Sequence, residues 1–270
     1  MQQIKSYKIV ILVFLLVSLP FVMSSPKVIS SNFKSLSTDS SNITILNYHK
    51  VDDMKIALSV SPVEFEEQMS YLKSEGYTTI SPKDLMDFME FDKELPEKPL
   101  LITFDDGYLD NYTNAYPIMK KYGFTGTVFI VTDFISNDER FMTWEQVKEL
   151  KENGFYIGSH TMQHKPMTEL DDETLKSELL GSAAALDYHL GKDEYYIAYP
   201  TGAYNSHIEK AVKECGYRAA FTIRYGNVDQ ASNPYALERI PIFKSDKTFR
   251  SFCLRVNLTG FFERMGLVRT

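Results

Sequence analysis

The sequence predicts an α/β fold: one domain of repeating βα units with a barrel-like shape. Short apolar runs recur along the chain, hydroxyl-capped helix starts stand between several of them, and glycines fall where helical stretches end. The first strand is expected at 43–48. Ser61-Pro62-Val63-Glu64 and Ser81-Pro82-Lys83-Asp84 each place a hydroxyl three residues before an acid, with proline at the first helical position, so helices start on either side of a strand at 78–80. Gly76 ends the earlier helix. Residues 99–104 form a continuous apolar run, as in a strand buried on both faces, and 110–122 then read as helical up to Gly123. A strand at 127–131 precedes the capped helix start Thr143-Trp144-Glu145-Gln146, and Gly154 introduces a strand at 155–158. Gly191 and Gly216 precede strands at 195–199 and 218–222, and a last strand is expected at 237–242.

Chemistry concentrates at two strand ends. Thr103-Phe104-Asp105-Asp106-Gly107 closes the buried run, and His160-Thr161-Met162-Gln163-His164 follows the strand at 155–158. Asp-Gly alone is a turn signal, but a helix rather than a returning strand follows it here, which weakens the hairpin reading. Neighbouring residues in a strand point to opposite faces, so both carboxylates reach one site only where the strand ends, and Gly107 permits that bend. Pro166 and Gly158-Ser159 place the histidine pair on a loop rather than a long helix. In parallel α/β architectures the carboxyl ends of strands are neighbours in space. One carboxylate and two imidazoles then suit a divalent ion with open coordination positions, and the spare aspartate suits a base.

These residues resemble the polysaccharide deacetylases of the NodB-like group, carbohydrate esterase family four. Thr-Phe-Asp-Asp-Gly is similar to its first motif, Ser159-His160-Thr161-Met162-Gln163-His164 to its second, and residues 198–205 to a groove-wall segment. The resemblance spans roughly residues 43 to 245 and is nearest to the biofilm poly-β-1,6-N-acetylglucosamine deacetylases. It implies a distorted (β/α)7 barrel forming a single catalytic domain with an open groove. It further implies that Asp106, His160 and His164 hold one divalent metal, zinc first, with cobalt, nickel or iron as alternatives. Asp105 would be the base, the backbone N–H of Thr201 an oxyanion donor, and Tyr199 and Pro200 part of the groove.

Two departures from the family pattern stand out. Many members carry an arginine before the Tyr-Pro step to orient the catalytic aspartate, where this chain has Ala198; Arg239 is a substitute, with a structural ion pair as the alternative. Members often place an acid histidine near the C-terminus, yet no histidine follows His207. His49, closing the first strand, takes that role in this reading, since the biofilm subgroup has its acid on the N-terminal side. His189 and His207 read as surface residues. Amide hydrolysis needs all these parts: a nucleophile, oxyanion stabilisation and an acid for a poor leaving group.

Lys5 and Lys8 precede an apolar run at 9–23, so residues 1–25 read as an export signal peptide or N-terminal membrane anchor. Residues 26–42 read as a serine-rich linker and 43–270 as the catalytic domain. A secreted or cell-surface location follows, with the membrane met only through that segment. Cys215 and Cys253 could bridge in an oxidising compartment, but Cys215 before Gly216 at a helix end reads more simply as a small buried residue, so no disulfide is assumed. A net charge of −7 without a long basic run argues against nucleic acid as a partner and fits neutral or amino sugars better. The resemblance implies an N-acetylglucosamine polysaccharide of biofilm or cell wall, and a monomer is expected. Trp144, Tyr108, Tyr199 and Tyr204 are candidates for stacking on sugar rings.

Alternatives within the same chemistry are a peptidoglycan or chitin-oligosaccharide deacetylase, or a small-amide hydrolase. Two histidines and a carboxylate also suit ferrous oxygenases, which the adjacent Asp105 and the α/β alternation disfavour. No Gly-x-Ser-x-Gly elbow supports a serine hydrolase. A wall polysaccharide-binding protein with impaired turnover is the non-enzymatic alternative.

Overall fold

The computed structural model describes residues 42–243 and 248–265. The export segment and all of the linker before Asn42 lie outside the described residues. Among those residues, no helix is long and apolar enough to cross a membrane.

In chain order the elements are β1 (Thr44–Tyr48), β2 (Lys50–Val51), β3 (Ser59–Val60), α1 (Pro62–Ser74), β4 (Thr78–Thr79), α2 (Pro82–Phe91) and β5 (Pro99–Asp106). They continue with α3 (Tyr116–Tyr122), β6 (Thr127–Ile130), α4 (Trp144–Glu152), β7 (Tyr156–Ser159), α5 (Asp172–Leu190), β8 (Tyr195–Ala198), α6 (Ser206–Glu214), β9 (Tyr217–Tyr225), β10 (Leu237–Pro241) and α7 (Thr248–Arg264). Each strand expected from the sequence is present within a residue or two, except that β5 and β9 run further. All three capping boxes form: Ser61, Ser81 and Thr143 accept from the backbone N–H three residues on, and Glu64, Asp84 and Gln146 reach back.

Seven parallel strands close a barrel in the order β1-β10-β9-β8-β7-β6-β5, with β5 returning to pair with β1 from Thr44↔Leu100 to Tyr48↔Phe104. Strand β4 lies beside the start of β5, and β2 with β3 forms a separate parallel pair just beyond β1. Three details depart from the sequence reading. The β2–β3 pair was not anticipated; the helix after β5 opens as a π-helical turn at Asn111–Ala115; and residues 226–236 join β9 to β10 without a helix.

Side-chain alternation divides the core. Ile45, Leu101, Phe129, Tyr196, Ala219, Phe221 and Leu237 share one cluster filling the barrel, whereas Leu46, Leu100, Ile102, Phe104, Val128 and Ile130 pack outward with residues of α1 and α3. All eight residues of β5 are buried, because the barrel interior covers one face and helices the other. Continuing the inward set toward the carboxyl ends gives Asn47, Thr103, Asp105 and Arg239. The barrel therefore changes from apolar to polar at one end, where the site is built.

Candidate active site

Asp105 lies on the inward face of β5 and is 1% exposed. Arg239, inward on β10 and 0% exposed, meets it in a two-pronged ion pair: Nη1 donates to Oδ1 and Nη2 to Oδ2, both at 2.7 Å. Arg239 is itself fixed, donating from Nε to the Thr222 carbonyl at 2.7 Å and from Nη1 to Thr103 Oγ1 at 3.0 Å. Asn47 Nδ2 donates to Asp105 Oδ2 at 3.0 Å. Burial alone would raise the Asp105 pKa, but the adjacent guanidinium overcomes it and holds the carboxyl well below the usual range.

In a regular strand Asp106 would face away from Asp105. Its φ of 76° ends the alternation, and Gly107 follows at φ 83°. A Cβ on Gly107 would approach Ile130 Cγ2 to 2.9 Å, so glycine is required there by space as well as by conformation. The turned Asp106 Oδ1 lies 3.4 Å from His160 Nε2 and 3.2 Å from His164 Nε2.

The histidine loop leaves β7 beside β6, with the His160 N–H donating to the Ile130 carbonyl at 2.8 Å. Thr161 and His164 both adopt positive φ, 64° and 58°, which folds the intervening residues back so that the two rings sit 4.8 Å apart between centroids. One potential ligand atom each from Asp106, His160 and His164 lies within 4.8 Å of the others.

The donor set fits a divalent cation. His160 Nδ1 lies 2.8 Å from the Ala198 carbonyl, which can only accept, so the proton sits on Nδ1 and the Nε2 lone pair faces Asp106. Burial holds the His160 pKa below the usual histidine value although Asp105 and Asp106 pull it upward, and a neutral imidazole is what a metal requires. Burial also acts to lower His164, but its hydrogen bond to Asp106 and the nearby carboxylate charges outweigh this and raise it. For Asp106, burial is outweighed chiefly by the hydrogen bond to His164, and its pKa is lowered.

His49 immediately follows β1, near enough for its charge to act on both Asp105 and Asp106. Its ring lies 6.4 Å from that of Phe243, its carbonyl accepts from Asn111 Nδ2 at 2.8 Å, and Nδ1 is buried without a hydrogen-bond partner among the described residues. Lys50 next to it donates to Asp110 Oδ2 at 2.7 Å, while the Val51 N–H donates to Asp110 Oδ1, also at 2.7 Å. Asp110 and Asn111 thus tie the strand end carrying His49 to the segment after the Asp-Asp-Gly turn.

The groove reading of Tyr199 and Pro200 needs correction, whereas His207 on the surface and the unpaired cysteines stand as expected. Tyr199 is 0% exposed, stacks on Tyr204 and donates its hydroxyl to the Tyr235 carbonyl at 2.8 Å; Pro200 is buried as well. The Tyr199 side chain belongs to the layer under α5 and α6, because it continues the helix-facing register of Ile197 in β8, and neither it nor the buried Pro200 lines a groove. Thr201 is exposed in that turn at φ 58°. Tyr108 has Phe141 stacked on its ring at 4.9 Å and Lys50 Nζ 4.3 Å from its centroid. Trp144 has a face against His189 at 3.9 Å, so the tyrosines named and this indole are engaged within the protein. His207 contacts Asp172 at 2.8 Å on the surface. Both cysteines are free.

Asn47 and Asp110 were not singled out in the sequence, and Thr103 only as the start of the Asp-Asp-Gly motif. Their signal was positional: Asn47 and Thr103 are polar residues at inward registers near the carboxyl ends of otherwise apolar strands.

Comparison with known proteins agrees with this geometry. The sequence model of the family described as polysaccharide deacetylase matches residues 92–220. YxkH of Bacillus subtilis (strain 168) is 36% identical over 200 residues, covering 74% of this chain and 71% of its own. The poly-β-1,6-N-acetyl-D-glucosamine N-deacetylase of Staphylococcus aureus (strain MRSA252) is 28% identical over 260 residues, covering 86% of this chain and 88% of its own. Among solved structures, the Streptococcus pyogenes deacetylase PplD in complex with acetate aligns with a TM-score of 0.76 at 28% identity, over 81% of this chain and 99% of its own. IcaB from Ammonifex degensii aligns with a TM-score of 0.72 at 26% identity, over 80% of this chain and 97% of its own. A closed seven-stranded parallel barrel with the Asp-Asp-Gly and histidine-loop motifs at one end, together with these relatives, shows that the chain belongs to the polysaccharide deacetylase family, as an N-deacetylase of the NodB-like group.

Proposed function

We propose that the protein is an exported, metal-dependent enzyme that removes N-acetyl groups from an N-acetylglucosamine polymer of the poly-β-1,6 type. The observation that carries the chemistry is the juxtaposition of the Arg239-paired Asp105 with the convergent Asp106, His160 and His164. The linkage preference is supported by the Staphylococcus aureus relative, and export by the basic and apolar leader at 1–25.

Asp106, His160 and His164 would hold the cation, with the Ala198 carbonyl fixing the tautomer of His160. A divalent cation bound there, zinc by expectation, supplies a Lewis acid and lowers the pKa of a water. Asp105 accepts the proton of the attacking water. Its low pKa keeps it ionised, and Arg239 and Asn47 hold its plane. The Thr201 N–H donates a hydrogen bond toward the developing oxyanion. His49 delivers a proton to the departing nitrogen, which would otherwise leave as an unstable amide anion.

The test is acetate and free-amine release from defined β-1,6- and β-1,4-linked N-acetylglucosamine oligomers by zinc-loaded protein. Preferential release from the β-1,6 series is expected. Preference for the β-1,4 series or for peptidoglycan reassigns the substrate, and absence of acetate from every polymer contradicts the enzymatic reading.

A further inference from the structure

A buried acid supports the histidine loop from behind. Glu178 lies on the inward face of α5 and is 4% exposed, and no lysine, arginine or histidine pairs with it among the described residues. Its Oε2 instead accepts from the backbone N–H groups of Met162 at 2.8 Å and Gln163 at 2.9 Å, two residues between His160 and His164. One helical turn on, Gly181 leaves room for Met162: a Cβ at 181 would lie 2.1 Å from its Sδ.

The rest of the loop is tied in the same manner. The Thr161 N–H donates to Ser159 Oγ at 3.0 Å, the His164 N–H to Thr161 Oγ1 at 3.2 Å, and the Thr161 and Met162 carbonyls accept from Thr132 and Asp133 at 3.1 Å each. Each amide from Thr161 to His164 therefore has a partner. The middle two depend on one carboxylate oxygen from another element. Since Thr161 and His164 both hold positive φ, the loop has no local preference for this path. Contacts from other elements, Glu178 chief among them for the two middle amides, must supply it.

We infer that Glu178 is a positioning residue for metal binding: it fixes the spacing of His160 and His164 through the two intervening amides, while Gly181 leaves space for the Met162 side chain. This inference rests on the reading of Asp106, His160 and His164 as a metal site. Without the carboxylate the two amides lose their acceptor, the loop samples other paths, and the imidazoles are no longer held ready for one ion.

The experiment is zinc affinity by chelator competition on the whole protein, with far-UV circular dichroism and melting of the metal-free form alongside. Wild type binds one zinc, lost in His164→Ala. Glu178→Ala weakens zinc binding by about 10- to 100-fold. Glu178→Gln restores most of the affinity, because its amide oxygen can accept from both N–H groups without the charge. Glu178→Asp, whose shorter side chain cannot reach both N–H groups, weakens binding in the same direction and carries the test should Glu178→Ala not fold. Glu178→Ala and Glu178→Asp proteins that bind zinc as tightly as wild type overturn this inference and leave the metal reading standing. A wild type that takes up no zinc, cobalt or nickel overturns both.

Discussion

Arg239 and Asp105 meet end to end inside the barrel, each guanidinium prong 2.7 Å from its own carboxylate oxygen, although 134 residues separate them in the chain. In related enzymes the orienting arginine is expected before the Tyr-Pro step, where this chain has Ala198. Here the guanidinium comes from β10, which borders β1 and through it β5, and it reaches the same carboxylate from a different strand. Arg239→Lys cannot span both oxygens. Its kcat should fall by about 100-fold through misplacement of the base. Arg239→Ala leaves a buried carboxylate unpaired and should cost about 3–5 kcal/mol in urea unfolding. Wild-type turnover in Arg239→Lys would make the pair purely structural.

His49→Ala should lower kcat by roughly 100- to 10,000-fold, as expected for loss of a positioned general acid, while zinc content and KM stay near wild type. Steady-state acetate release with metal analysis of the same sample is the measurement. Unchanged turnover removes His49 from the mechanism.

Gly107→Ala tests the turn that brings Asp106 beside Asp105. The new methyl must adopt φ near 83° and lies 2.9 Å from Ile130 Cγ2, so both strain and crowding act. A loss of about 2 kcal/mol or more is expected from urea titration, together with weaker metal binding. A fully stable variant with normal metal uptake would show that the turn tolerates a side chain.

Arg218 lies away from the chemistry, donating to Glu194 at 2.7 Å and to Asp87 and Glu90 at 2.9 Å each, and so linking α2 with the start of β8. The Asp87 pKa is lowered, chiefly by its hydrogen bond to Arg218; Glu194 is lowered because hydrogen bonds to Tyr196 and Arg218 outweigh its burial. A carboxylate whose pKa falls on folding adds stability that is full above its unfolded value of about 4 and is lost as pH drops through the folded value. Arg218→Ala should therefore reduce stability at pH 7 and flatten its decline below about pH 4. Parallel acid titrations of wild type and variant would show the same decline if the cluster were fully screened by solvent.

The local parts of this protein were legible in the sequence. Capping boxes at Ser61, Ser81 and Thr143, the buried run of β5 and the glycine stops depend on neighbours a few residues apart, and each appears where expected. One aspartate of the Asp105-Asp106 pair with His160 and His164 was legible as a set because strand ends of one parallel sheet gather at one end of a barrel; that the ligand is Asp106 was implied by the family resemblance. Arg239 was open between orienting the base and an ordinary ion pair, since that depends on β10 closing the barrel. Asn47 and Glu178 were missed because an isolated asparagine or helical glutamate carries no signal until its partner on another element is known. Tyr199 was misplaced for a related reason. An aromatic after a strand suits a groove wall or a core equally, and Tyr199 continues the helix-facing register of Ile197, which packs it under α5 and α6.

The most direct measurement is anomalous diffraction at the zinc edge from crystals of zinc-loaded protein. A single peak about 2.0–2.2 Å from Asp106, His160 Nε2 and His164 Nε2 at once, with Asp105 beside it and still paired to Arg239, is the predicted result. A zinc ion bound elsewhere, or one that engages the histidines while Asp106 turns away, would contradict it.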